Sequence, residues 1–293
     1  MASTIQRSST LFKQAWAVVR NHPALLVFPV FSAAASLAIL AAFAAPFVQS
    51  EDGISALLGY FRSTAKDDAE PTSKLIGYLI LFGYFFVTTM VATCFNAALL
   101  GAADLALRGE PTSVGAGIRV AANRFPQILA WCVVNGLFGL LLALIERRVP
   151  LLGKIAVRLV GMAWGIACFF VLPVLVLEGV GPLTAVQRSA SALKRTWGET
   201  LVFAVGFGAV DAIVTVAFIV LTLGGIVTAV LAQSWWIGGS VIGLGVGVML
   251  AWMTVTSAMR SVMNLALYRY ATAGAAPEGF TLDALKSAFH AKN

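Results

Sequence analysis

One carboxylate in this 293-residue chain is conspicuous for its surroundings: Asp211 is the only charged residue between Glu199 and Arg260. An ionised carboxylate inside a bilayer costs about 2.5–3.5 kcal/mol even on lenient insertion scales, so such a group is retained for a reason. Two readings are open. Asp211 is either a proton-relay or substrate-contact residue, or a neutral aspartic acid that cements two helices by a hydrogen bond. Placed in an apolar stretch over 200–223, it falls near the middle of a span. Arg260 is then roughly 18 Å away in depth at 1.5 Å per residue, out of reach unless the register shifts. Asn135, at a similar depth in another apolar stretch, is the expected partner. With Pro173, these residues make up a candidate midplane polar site.

Other polar residues suit local roles. Asp104 and Arg108 are four apart, the spacing of an ion pair on one helix face. Glu178 precedes Gly179 and a helix expected to begin near Pro182, where a carboxylate complements the helix N-terminus; a headgroup- or partner-binding role is the alternative. Glu199 has the same reading at the start of the next apolar stretch. Pro173 lies inside a span and is expected to kink it. The chain has no H-E-x-x-H, G-x-x-x-x-G-K-[ST], G-x-S-x-G or C-x-x-C motif. Cys94, Cys132 and Cys168 each lie alone, and His22 and His290 are too scattered for a metal site. The expectation is a chain with no catalytic residues, metal or cofactor.

The elements that carry these residues follow from composition. Of the chain, 59% is hydrophobic and 11% charged, where soluble domains carry about 25% charged residues. Ala24–Val48 and Leu75–Ala103 contain no charge at all. About 20 apolar residues make a helix long enough to cross the hydrocarbon core. Continuous apolar runs, without the ten-residue alternation of a barrel, specify helices. The fold expected is therefore all-α and polytopic, with six spans near 24–48, 75–103, 127–145, 157–177, 200–223 and 235–259. Gly224-Gly225 is the expected turn between the last two, and residues 226–234 either extend the fifth helix or dip back into the membrane. Ala42-Phe43-Ala44 could serve as a signal-peptidase site, but the apolar run around it is too long for a signal peptide.

Lys and Arg set the orientation. With the N-terminus inside, thirteen fall on the cytoplasmic side and seven outside, as the positive-inside rule prefers. The Glu146–Arg158 loop, with four basic residues outside, goes against it. The expected location is a bacterial inner membrane with both termini cytoplasmic.

Each cytoplasmic segment that enters a hairpin has the pattern of an amphipathic helix. In Pro182–Trp197 the apolar positions Leu183, Val186, Ala190, Leu193 and Trp197 draw one stripe, with Arg188, Lys194 and Arg195 off it. Gly198 suits its end. Ile5, Phe12, Trp16 and Val19 form a similar face, flanked by Arg7, Lys13 and Arg20. Ile118, Ala122 and Phe125 repeat it more weakly, beside Arg119 and Arg124. An apolar face with an opposed basic one describes a helix lying in the interface. Gln6-Arg7-Ser8, Lys13 and Trp16 align without gaps on Gln187-Arg188-Ser189, Lys194 and Trp197, which suggests an internal repeat. The whole of 1–293 then reads as one membrane domain of three units, about 1–107, 108–178 and 179–270, with a short tail over 271–293. Gly161 and Gly165, and Gly239, Gly243 and Gly247, have the spacing of close helix contacts. Trp235-Trp236 is an expected outer anchor.

The stretch Phe169-Phe170, Pro173, Glu178-Gly179, Gly181-Pro182, followed by Thr196-Trp197-Gly198-Glu199, resembles the signature of a family of bacterial polytopic membrane proteins with no established activity. The likeness extends to Phe95-Asn96-Ala97-Ala98-Leu99 and Arg108-Gly109-Glu110-Pro111. A looser similarity, to the membrane domains attached to some bacterial glycerophosphodiester phosphodiesterases, brings no activity, because the catalytic domain is lacking. The resemblance implies an architecture and no site residues.

The function expected is non-enzymatic: binding of anionic lipid headgroups, or organisation of membrane or partner proteins, by basic amphipathic helices, with a homo-oligomer as a further expectation. The net charge of +7 belongs to juxtamembrane segments and not to a nucleic-acid site. The alternative is a small-molecule or proton-coupled permease or channel subunit that uses Asp211.

Overall fold

The computed structural model describes residues 2–48, 55, 59, 71–231, 234–274 and 276–281. Among them there is no strand. Nine helices follow in order: α1 Ala2–Asn21, α2 Ala24–Val48, α3 Pro71–Ala106, α4 Val114–Asn123, α5 Phe125–Arg148, α6 Leu151–Ala167, α7 Val171–Glu178, α8 Pro182–Leu231 and α9 Trp235–Ala273. Six segments are long and apolar enough to cross a membrane, near the expected positions: Ala24–Ala45, Leu79–Ala106, Phe125–Arg148, Leu151–Glu178, Asp211–Leu231 and Gly238–Ala273. They form three hairpins: α2 with α3, α5 with α6–α7, and α8 with α9. The first and last described segments meet, as Gln14 Nε2 donates to Thr281 Oγ1 at 3.0 Å.

The buried side chains gather at the end that holds this contact. They come from α1 (Leu11, Val19), the start of α2 (Leu25, Phe28), the end of α3 (Leu99, Leu100) and Leu107 just after it, the start of α5 (Ile128), most of α7 (Val171, Val174, Leu175, Val176), and the end of α9 (Met259, Met263). Counted along α9 from Trp235, Ala258–Tyr268 lies about 35–50 Å away at 1.5 Å per residue, beyond the roughly 30 Å of hydrocarbon. The hairpin halves toward the other end leave Leu37, Phe85, Leu137, Leu159, Val220 and Leu244 exposed. This division has a physical cause. Apolar burial drives packing only where water is the alternative, and lipid tails are as apolar as leucine. Fully buried Val19 and Leu107, outside the apolar spans, therefore contribute about 1.5–3 kcal/mol each.

Several boundaries differ from expectation. Helix α8 runs unbroken through Gly198 and through Gly224-Gly225 to Leu231. The glycine pair packs instead of turning: a Cβ on Gly225 would sit 2.5 Å from Ile242 Cγ1 on α9. Of the two alternatives for 226–234, extension of the fifth helix is what occurs over 226–231, while 232–233 lie outside the described residues. The fourth span is interrupted before Pro173. Helix α6 stops at Ala167 and α7 starts at Val171, so Pro173 is the third helical residue, where its missing N–H leaves no intrahelical bond unmade. The break is stitched by side chains. Ser189 Oγ accepts from Phe170 N at 2.9 Å and donates to Ala167 O at 2.6 Å, and Asn264 Nδ2 donates to Phe169 O at 3.0 Å.

Of the small-residue series, Gly239, Gly243 and Gly247 face open space. The packed glycines of that helix are Gly238 and Gly245, one register step away. Gly161 approaches Leu142, and Gly165 is open. Trp236 is 91% exposed at the hairpin tip.

Candidate lipid-headgroup interface

Three surface elements, α1, α4 and the first turns of α8, dock on the packed end through small residues. Ala15 of α1 is fully buried, as are Ala185 and Ser189 of α8, and α4 turns Gly117 and Ala121 inward. Gly117 is required there, since a Cβ would lie 2.5 Å from Ala98 O and 2.6 Å from the Phe28 ring. Ser113 caps α4, its Oγ accepting from Ala116 N at 3.1 Å.

The apolar stripes expected to face lipid are partly turned. On α1 the inward face is Leu11, Ala15, Val18 and Val19, packed on α9, so Val19 is buried against protein while Trp16 is exposed. On α8 the inward residues are Ala185, Ser189, Ala192 and Leu193, and Leu183 is 66% exposed. On α4, Ile118 and Ala122 are exposed as expected, with Phe125 beside them. The reason is common to all three: small side chains allow the close helix–helix approach that large ones prevent. Trp16, Ile118, Phe125 and Leu183 are therefore exposed on the same elements as the exposed cations Lys13, Arg20, Arg119 and Lys194. The side chains of Ile5, Arg7, Arg195, Trp197 and Glu199 lie outside the described residues.

Between these elements lie three charge clusters. Asp104, nearly buried, is held by Arg108 at 2.9 Å and by Arg269, whose Nε donates at 2.8 Å. The i, i+4 pair is as expected; Arg269, from 165 residues further on, is an addition. Glu178 closes α7 and meets Arg188 of α8 and the hydroxyl of Tyr268 on α9. It thus ties three helices instead of complementing an N-terminus. Asp211 pairs with Arg260 and accepts from Trp252 Nε1 at 3.2 Å.

That last cluster corrects the midplane site. Asn135 accepts from Trp164 Nε1 at 3.0 Å on the neighbouring hairpin, and Pro173 is buried in α7, so the three candidates are not brought together. Helix α8 continues past Gly224-Gly225 to Leu231, which shifts the register by roughly eight residues, about 12 Å. Asp211 then lies about 30 Å along α8 from Leu231, at the edge of the hydrocarbon and level with Arg260.

Arg124 is also turned inward. Its Nε donates to Val176 O at 3.2 Å, and its guanidinium lies against Gly179. Gly179 is needed twice over: its φ of +66° caps α7, and a Cβ there would strike the guanidinium. Arg124, Asn123, Asp104 and Arg108 line a cavity of about 340 Å³ between α3, α4, α5 and α7. A second, of about 440 Å³, lies between α7, α8 and α9 and is lined by Glu178, Gln187, Arg188 and Tyr268. A third, of about 290 Å³, is an apolar crevice between α2, α3 and α9. No group of three or more metal-ligating side chains occurs among the described residues.

Sequence reasoning missed Arg269, Tyr268, Trp252, Ser189 and Asn264. The signal for the first two was their place just past a long apolar run, where a charge and a phenol must find partners. Ser189 and Asn264 carry a fainter one, small polar residues on otherwise apolar faces.

Fold and interface together define a multi-pass α-helical protein of membrane-compatible spans with a packed, charged end. The chain belongs to a family of unknown function, DUF6159, whose model matches residues 75–279. No curated protein and no solved structure gives a significant match.

Proposed function

We propose that this is a non-catalytic membrane protein that holds anionic phospholipid headgroups at its packed end, with that end facing the cytoplasm of a bacterial inner membrane. The observation that carries this reading is the shared design of the three surface elements. Each docks through small residues and leaves a large apolar side chain and a cation exposed: Trp16 near Lys13, Ile118 next to Arg119, and Leu183 and Lys194 about 16 Å apart along one helix. An outward apolar residue enters the acyl boundary while its basic neighbour stays at phosphate level. Each such Lys or Arg contributes about 1 kcal/mol toward an anionic leaflet.

The permease reading ranks below it. An Asp211 already matched by Arg260 at the edge of the hydrocarbon is poorly placed to relay protons at the midplane.

The test is lipid selectivity in reconstituted bilayers, read with spin-labelled phosphatidylglycerol against spin-labelled phosphatidylcholine. The parent protein should restrict the anionic probe preferentially. The triple variant Lys13→Glu, Arg119→Glu, Lys194→Glu should lose most of that preference while keeping its helix content. Equal selectivity in parent and variant would dismiss the reading.

A further inference from the structure

We infer that the cavity between α3, α4, α5 and α7 is a discrete seat for one phosphate group, that of an anionic glycerophospholipid. This deepens the headgroup reading from a diffuse basic rim to a site with stoichiometry.

The charges around Asp104 do not balance within the cavity. Its Oδ1 is taken by Arg269 and its Oδ2 by Arg108, so the single carboxylate lining the cavity is already shared between two guanidinium groups. Arg124 lines the same cavity and pairs with no carboxylate among the described residues: its side-chain hydrogen bond runs from Nε to Val176 O. Two cations, Arg108 and Arg124, thus line the cavity with one anion, and that anion is also shared with Arg269 from outside the lining. Glu278 lies near, against Gly109, but does not line the cavity.

Geometry makes the surplus usable. Val176 O holds the Arg124 Nε, which fixes the plane of the guanidinium and leaves its terminal nitrogens as donors. Arg108 is half exposed and spends one nitrogen on Asp104. Planar forks of this kind match the paired oxygens of a phosphodiester, and a volume of about 340 Å³ accepts such a group. Depth favours a lipid as its source. Arg124 is about 36 Å along α5 from Arg148, the level of headgroups on one face of the bilayer. Phe125, Val133 and Leu137 on α5 are exposed from there into the hydrocarbon, a surface along which acyl chains can lie.

The experiment is titration of the full-length protein in neutral detergent, read by native mass spectrometry, with dioctanoyl phosphatidylglycerol, dioctanoyl phosphatidylcholine and inorganic phosphate as probes. One phosphatidylglycerol should bind per chain in preference to the other two. Arg108→Gln should weaken it about tenfold, the worth of one charge-assisted hydrogen bond. That variant leaves Asp104 paired with Arg269. Arg124→Gln should do the same, and Arg124→Lys should restore it only partly, because an ammonium lacks the fork. Thermal melts of each variant separate lost binding from lost folding. The triple variant Lys13→Glu, Arg119→Glu, Lys194→Glu should keep the single bound lipid, so failure of the rim and failure of the seat are distinguishable. Inorganic phosphate binding as tightly as phosphatidylglycerol would overturn the lipid source, and no preference for either anion, or one unchanged in Arg108→Gln, would overturn the seat.

Discussion

Ser189→Ala is the perturbation with the clearest expected cost. Ser189 is fully buried, and its hydroxyl accepts from Phe170 N and donates to Ala167 O across the gap between α6 and α7. Removing it strands a backbone donor and a backbone acceptor in a packed setting. Each buried unsatisfied group costs about 1–3 kcal/mol. Alanine is the better helix former by up to about 0.5 kcal/mol, which offsets a little of this. The expected net loss is about 1.5–5 kcal/mol. Interhelical side-chain hydrogen bonds in membranes average nearer 0.6 kcal/mol, because the unfolded chain finds other partners. Here the groups belong to a helix break, and the remaining backbone cannot rearrange to satisfy them. The assay is equilibrium unfolding in mixed dodecyl maltoside and SDS micelles, followed by far-UV circular dichroism. Ser191→Ala is the control, since that exposed hydroxyl bonds only to Gln187 O of its own helix, and it should cost under about 0.5 kcal/mol. A Ser189→Ala protein within about 0.5 kcal/mol of the parent, or a control that loses as much, would refute the stitching argument.

Other consequences follow from the same packing. Gly117→Ala should destabilise by about 1–3 kcal/mol, because the nearest obstacle is the backbone oxygen of Ala98; a thermal melt monitored by tryptophan fluorescence would show it, and an unchanged melt would mean that α4 is not docked as described. Asp104→Asn leaves Arg269 without its carboxylate in a largely buried setting, so a loss of about 3 kcal/mol is expected, with Asp104→Glu intermediate on the same denaturation curve. Asp211→Asn should change stability by less than about 1 kcal/mol, as for other half-exposed ion pairs, since Asp211 and Arg260 are 35% and 43% exposed; a large loss of stability would return Asp211 to the bilayer interior.

The sequence carries the class of fold plainly, because apolar runs such as Ala24–Val48 leave a helix as the only way to satisfy the backbone in lipid. Hairpin order followed from the same runs. Register between hairpins did not. Gly224-Gly225 looks like a turn in one dimension and is a close-contact face in three, and that single difference moved Asp211 by about 12 Å and exchanged its partner from Asn135 to Arg260. The amphipathic stripes misled in a related way. Large apolar residues such as Leu183 dominate a hydrophobic pattern, but Ala185 and Ser189 decide which face can approach a neighbour. Pro173 marked the right region for a break, although the gap falls at 168–170, where Ser189 and Asn264 can reach the freed backbone. Cluster partners such as Asp104 and Arg269 lie 165 residues apart, a separation at which no local spacing rule applies.

The central claim is that one membrane face gathers the core, α1, the end of α9 and the basic rim, while the hairpin ends near Val149-Pro150 and Trp235-Trp236 occupy the other. Substituted-cysteine labelling tests it directly. Cys94, Cys132 and Cys168 would first be replaced, then single cysteines placed at Lys13, Arg119 and Lys194, and at Leu152 and Trp236, which are 80% and 91% exposed near the tips. In inside-out and right-side-out vesicles, a membrane-impermeant maleimide should label the first three from the cytoplasmic side only and the last two from the opposite side only. Labelling of Lys13→Cys and Lys194→Cys from opposite sides, or of Leu152→Cys from the same side as either, would contradict it.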